Sequence, residues 1–114
     1  YVADSTDEKN TTLDDYFCGK NIFPTILKAD VEGTEIACMK GASTLLTRHI
    51  RHVLLCTYHN FNDFAILSEM MQDHHFEVQV SEGHMISIYS EPDYGCKDIP
   101  KIFRKGLIHA HKQM

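Results

Sequence analysis

The fold is decided by one stretch of the chain, Pro24-Thr25-Ile26-Leu27-Lys28-Ala29-Asp30-Val31-Glu32-Gly33. Its first six residues are mostly apolar and do not alternate with polar ones, and proline stands only at the start. This pattern predicts a strand over residues 24–29 that is buried on both faces, as in a parallel sheet. Residues 30–33 then form the turn out of that strand.

The segments that follow repeat the pattern of strand and helix. Residues 34–49 have helical apolar spacing, and Gly41 is expected to divide them into two short helices. Residues 53–58 are the most apolar run and predict a second strand. Asn60 or Asn62 is suited to cap the next helix.

Shorter elements are predicted on either side. Residues 12–17 have a threonine cap and early acids, which favour a short helix. Residues 76–80 and 85–89 each alternate and are separated by a turn that contains glycine, so they predict an antiparallel β-hairpin. Strand, helix, strand, helix and hairpin in this order predict an α/β fold with parallel strands and an antiparallel pair at the end.

The size and composition predict one globular domain over residues 1–114. The 114 residues are 43% hydrophobic and 24% charged, and no apolar run reaches the ~20 residues that would span a bilayer. The first residues do not resemble a signal peptide, so we expect a cytoplasmic protein without a membrane partner.

Charge is distributed unevenly along the chain. The net charge is -5, and an irregular acidic lead-in, residues 1–11, contrasts with a basic tail, residues 92–114. The acidic body argues against a nucleic-acid partner. The basic tail is suited to contact phosphate groups. The alternative is a face that is solvated or that docks a subunit.

Cysteine and histidine spacing gives no metal motif. The eight histidines place no third ligand at a recognisable spacing, so we expect no metal. None of the four cysteines lies two or three residues from another, and this pattern suits a reducing compartment. They are Cys18, Cys38, Cys56 and Cys96.

Charged side chains cluster where the first strand ends. Lys28, Asp30 and Glu32 are spaced by two, so an extended chain would project them to one face. Ligands of open α/β sheets bind beyond the carboxyl ends of the strands, and Gly33 permits close backbone approach. The cluster predicts either a binding or catalytic site, or an ion-paired strand end with Asp30 capping the helix.

Two further candidate site residues, Tyr58 and His59, stand at the end of the second strand. In a parallel sheet this end lies beside that of the first strand, so both side chains are able to face the same crevice as Asp30. Tyrosine and histidine serve as acids, bases or hydrogen-bond donors. A structural histidine at a strand end is the alternative interpretation.

Three segments together resemble the signature of FkbM-type methyltransferases. They are Thr12-Leu13-Asp14-Asp15-Tyr16-Phe17, Leu27-Lys28-Ala29-Asp30-Val31-Glu32-Gly33-Thr34-Glu35 and Met39-Lys40-Gly41-Ala42. Residues 56–59, 81–85 and 103–108 support the resemblance, which covers nearly the whole chain.

The resemblance implies a Rossmann-like class I methyltransferase that uses S-adenosylmethionine to methylate a hydroxyl of a small molecule or sugar. The family's Gly-rich cofactor turn is absent here, because no two glycines stand in a G-x-G pattern. We therefore expect the C-terminal half of the methyltransferase sheet, inactive alone.

The resemblance also implies roles for the charged cluster. Asp30 would orient cofactor or acceptor, Lys28 would pair with Asp30, and His59 is the candidate base. The implied catalytic residues are Asp30, Tyr58 and His59, and the implied substrate- or cofactor-binding residues are Lys28, Glu32, Gly33 and Glu35.

A sheet without its first half would expose an apolar edge. We therefore expect a homo-oligomer or a complementary N-terminal half as partner. The alternative function is a non-catalytic module that reuses the half-fold for self-association or partner binding.

Overall fold

The structure is a computed structural model that describes residues 1–86 and 103–113. Within these residues the chain forms four helices and six strands. None of the described helices has the length and apolar character needed to cross a membrane. The elements are α1 (Leu13–Lys20), β1 (Ile26–Ala29), α2 (Glu35–Lys40), α3 (Ser43–Arg48), β2 (His52–Cys56), α4 (Asp63–Asp73), β3 (Glu77–Val80), β4 (Met85–Ile86), β5 (Phe103–Arg104) and β6 (Leu107–His111).

Local capping explains where the first helices begin and end. The Thr12 hydroxyl accepts a hydrogen bond from the Asp15 amide at 3.0 Å and caps α1, as predicted. The predicted break at Gly41 is confirmed, since α2 ends before it and α3 begins after it. The Asp14 carboxylate accepts from the amides of Thr44 at 2.7 Å and Leu45 at 2.9 Å, so α1 caps α3.

Four strands form one mixed sheet in the order β1-β2-β6-β3. β1 pairs with β2 in parallel, with Lys28 opposite Leu54, which confirms the predicted parallel pair. β6 runs antiparallel to both of its neighbours, β2 and β3. The chain is therefore α/β, and a strand from near its C-terminal end occupies the middle of the sheet.

The predicted hairpin between residues 76–80 and 85–89 is wrong. β3 pairs with β6, with Val78 opposite Ala110, whereas β4 pairs with β5. Residues 87–89 lie outside the described residues. Alternation shows that a strand has two unlike faces, but it does not determine which strand pairs with it. Pairing with β6 places β3 beside the buried side chains of Ile108 and Ala110.

The sheet packs its core on one face. Val53 and Leu55 of β2 are fully buried with Ile108 of β6, and they share one core with residues of α2, α3 and α4. The prediction that β1 is buried on both faces is wrong, because Ile26 is 64% exposed. In the part of the chain that the structure describes, β1 is an edge strand and only Leu27 and Ala29 turn toward the core.

Candidate functional site

The predicted cluster assembles where β1 and β2 end. Because the two strands are parallel, their carboxyl ends meet at one edge of the sheet. Nε2 of His59 lies 2.9 Å from Oδ1 of Asp30, and the Tyr58 hydroxyl donates to the same oxygen at 3.3 Å. The structure thus brings the three expected catalytic residues into contact, while their roles stay predictions.

The turn after β1 also carries Glu35 into the cluster. Glu32 and Gly33 both have positive φ, 55° and 95°, which reverses the chain so that α2 starts beneath the site. Oε1 of Glu35 accepts from the Val31 amide at 2.9 Å and lies 3.4 Å from Nε2 of His59. The Glu35 side chain is fully buried, so a carboxyl group shielded from solvent lies against His59.

The other two expected residues lie at the margin. Oε2 of Glu32 is 4.0 Å from Nδ1 of His59, and this side chain is 88% exposed. Lys28 forms no ion pair with Asp30 among the residues that the structure describes. Asp30 follows the last residue of β1, and its carboxylate contacts His59 beyond the end of β2. His59, in place of the expected Lys28, is therefore the partner of Asp30.

A buried arginine holds the second strand end in place. Arg104 of β5 is 5% exposed, and its Nη1 donates to the carbonyls of Tyr58 at 2.9 Å and His59 at 2.7 Å. No sequence pattern singled out this residue. Its only indication in the sequence is that it lies within residues 103–108, which support the family resemblance. Spacing does not show which lysine or arginine of a basic segment is buried.

An amide joins the two loops of the site. The side-chain nitrogen Nδ2 of Asn60 donates to the carbonyl of Gly33 at 3.1 Å. The backbone amide of Asn60 donates to the Asp63 carboxylate at 3.0 Å. Asn60 therefore bridges the turns after β1 and β2. Of the two residues that the sequence suggested as the cap of α4, Asn62 stands at the N-cap position and makes no side-chain capping hydrogen bond.

A hydrogen bond, desolvation and charge shift the pKa values of the groups at and around Asp30. The bond from His59 lowers the pKa of the Asp30 carboxyl below its ordinary value. Desolvation and the Asp30 charge raise the pKa of the Tyr58 hydroxyl, and the same two effects raise the pKa of the Cys56 thiol. Asp30 is thus an ionised acceptor, and Tyr58 and Cys56 remain protonated donors to it.

The cluster also has the composition of a cation site. One oxygen of Asp30, one oxygen of Glu35 and one ring nitrogen of His59 all lie within 4.8 Å of one another. No metal was expected from the sequence, because the histidines place no third ligand at a recognisable spacing. The fold brings Asp30, Glu35 and His59 together from two different strand ends.

Gly33→Ala is expected to destabilise the chain by about 1–3 kcal/mol, because alanine rarely adopts φ of 95° and its Cβ would stand 3.2 Å from Asn60 Nδ2. Gly19→Ala is the matched control, since no atom lies within 4 Å of a Cβ at that helical position. It is expected to stabilise α1 by up to ~1 kcal/mol. Urea denaturation measures both. Equal stability of Gly33→Ala and the wild type would contradict the strain argument.

One family comparison matches the chain. The family model described as the methyltransferase FkbM domain aligns with residues 2–94. Neither a curated protein nor a solved structure matches the chain. The aligned part includes both strand ends that carry Asp30 and His59.

Proposed function

The chain belongs to the FkbM methyltransferase family, and from that premise we propose that it supplies the acceptor side of an S-adenosylmethionine-dependent methyltransferase acting on a hydroxyl group. The family match over residues 2–94 carries the proposal. The position of the cluster supports it, since ligands of open α/β sheets bind beyond the carboxyl ends of the strands.

The sheet supports a Rossmann-like methyltransferase fold. Its parallel pair β1-β2 is followed in space by the antiparallel strand β6. The family resemblance implies parallel strands with an antiparallel strand at the end of the sheet, whereas here the antiparallel strand β6 lies between β2 and β3.

The residues of this chain do not fit S-adenosylmethionine by themselves. The turn after β1 contains a single glycine, Gly33, and its Val31 amide is already occupied by Glu35. That turn presents carboxylates, whereas a nucleotide cradle needs closely spaced glycines and free backbone amides. We therefore assign no cofactor step to these residues, and the proposal requires further chain to hold the cofactor.

The cluster suits the acceptor instead. The Asp30 side chain is 43% exposed, so a hydroxyl from solvent is able to reach it and donate a hydrogen bond to the carboxylate. A carboxylate that accepts this hydrogen bond is able to take up the proton that methylation of a hydroxyl must release. A small-molecule or sugar hydroxyl is the acceptor class that this proposal carries forward from the resemblance.

The free edge of β1 supports a complementary half as partner. An open groove of about 320 Å³ lies beside this strand, and its lining includes Leu13, Phe17, Ile26 and Leu27. The groove is apolar and the edge of β1 opposite β2 is unpaired among the described strands. A further strand with flanking helix would bury both.

Calorimetric titration with S-adenosylmethionine tests the proposal. We expect no binding by the chain alone and micromolar binding when the N-terminal half of a family member is supplied, because the second half brings the Gly-rich turn. The same half without the chain is the control. Absence of binding in the mixture, together with a stable oligomer of the chain, would contradict the proposal and favour the non-catalytic module.

A further inference from the structure

We propose that Asp30, Glu35 and His59 bind a divalent first-row transition-metal ion, such as Mn²⁺ or Zn²⁺, at the carboxyl ends of β1 and β2. The three side chains come from the turn after β1, the first residue of α2 and the loop after β2. The site does not depend on the proposed function, although its catalytic use does.

The distances between donor atoms suit one shared ion. Nε2 of His59 is 2.9 Å from Oδ1 of Asp30 and 3.4 Å from Oε1 of Glu35. Ligands about 2.1 Å from an ion lie roughly 3.0 Å apart in octahedral and roughly 3.4 Å apart in tetrahedral geometry. An ion placed between these atoms therefore requires only small side-chain movements.

The buried carboxylate of Glu35 supplies an independent indication. Its side chain is fully buried, and its Oε2 accepts no hydrogen bond from any described residue. A buried polar atom without a partner is costly, because it has lost its hydration and gained nothing in return. A cation held by both oxygens of this carboxylate would give Oε2 a partner.

The charge of the cluster also favours a cation. The carboxyl groups of Asp30, Glu32 and Glu35 each lie within 4.0 Å of one imidazole, that of His59. Three acidic groups against this ring and the nearby Arg104 guanidinium concentrate negative charge here. A divalent ion would neutralise it and replace the proton on the coordinating nitrogen.

Neighbouring groups act on two of the ligands. When Nε2 of His59 coordinates, Nδ1 carries the proton and lies 4.0 Å from Glu32 Oε2, which is beyond hydrogen-bond distance. This exposed carboxylate therefore acts on the ring through its charge alone. The Val31 amide, in contrast, fixes Glu35 by a hydrogen bond.

The donor set selects the class of ion. An imidazole nitrogen favours Mn²⁺, Fe²⁺, Co²⁺ or Zn²⁺ over Mg²⁺ and Ca²⁺, which prefer all-oxygen sites. Three protein ligands leave coordination positions open, and the exposed side of Asp30 gives access to them. This arrangement is typical of a reactive site and differs from a closed structural one.

If the chain has the proposed methyltransferase function, the ion would also bind the acceptor hydroxyl. A metal ion lowers the pKa of a coordinated oxygen and so promotes loss of the hydroxyl proton to solvent. His59 then acts as a ligand, in place of the base that the sequence analysis expected. Methyl transfer would depend on the ion.

Electron paramagnetic resonance of Mn²⁺ tests the site directly on the purified chain after treatment with a chelator and dialysis. We expect one bound equivalent, and at least tenfold weaker binding in Asp30→Asn and in Glu35→Gln. Glu32→Gln is expected to weaken binding less than either of these variants, because its exposed carboxylate lies 4.0 Å from His59. The controls Glu77→Gln and His109→Asn remove a carboxylate and an imidazole elsewhere on the sheet and are expected to bind normally.

Two outcomes would overturn the site. One is no Mn²⁺ binding by the folded wild-type chain. The other is unchanged Mn²⁺ binding by Asp30→Asn, a substitution of an exposed side chain that is expected to leave the fold intact. Circular dichroism verifies folding of each variant. Methyl transfer by the reconstituted domain with chelator present would refute the ion's catalytic use and leave the proposed function intact. Mn²⁺ binding without methyl transfer to any hydroxyl would refute the proposed function and support the site.

Discussion

Asp30→Asn is expected to lower kcat/KM for methyl transfer about 10²–10⁴-fold in the domain reconstituted with its cofactor-binding half. The carboxylate receives hydrogen bonds from Tyr58 and His59 and is open to solvent, so it is the charged group best placed to meet the acceptor. The amide keeps the shape but removes the charge. Release of S-adenosylhomocysteine measures the rate.

The matched control is Asp73→Asn at the end of α4, an exposed aspartate with the same chemistry and no contact with the cluster. Its rate is expected to equal that of the wild type. Full turnover by Asp30→Asn, or equal losses in the two variants, would exclude the proposed role of Asp30.

Arg104→Met is expected to lower the free energy of unfolding by about 2–4 kcal/mol. The methionine fills part of the volume, but the carbonyls of Tyr58 and His59 lose a donor that is only 5% exposed. Buried carbonyls without a donor are expensive. Urea denaturation followed by circular dichroism gives the change.

Lys105→Met is the neighbouring control. Lys105 donates from Nζ to the Gly83 carbonyl at 3.1 Å in an exposed contact, and its loss is expected to cost less than ~1 kcal/mol. If both variants lost the same stability, the support that Arg104 gives to the strand end would be disproved.

Local features of the fold were predictable because they depend on adjacent residues. The Thr12 cap, the Gly41 break and the apolar runs of β1 and β2 each follow from short-range chemistry. The contact between Asp30 and His59 was also predictable, because parallel strands bring their carboxyl ends together.

Features that depend on distant parts of the chain were not predictable. The alternation of β3 showed its two faces but not that β6 would be its neighbour. The identity of the buried arginine depended on where β5 lies beside the second strand end. The burial of Glu35 depended on the reversal at Gly33, and helical spacing alone does not indicate it.

The central position of β6 has a consequence for the order of folding. β3 is made before β6 but hydrogen-bonds only to it within the described sheet, so β3 has no partner until residues 107–111 are available. Pairing of β2 with β6 joins positions as far apart as His52 and His111. Contacts between such distant residues slow folding, because a long loop must close first. During synthesis β1 and β2 are therefore able to pair early, whereas the described four-stranded sheet must await β6.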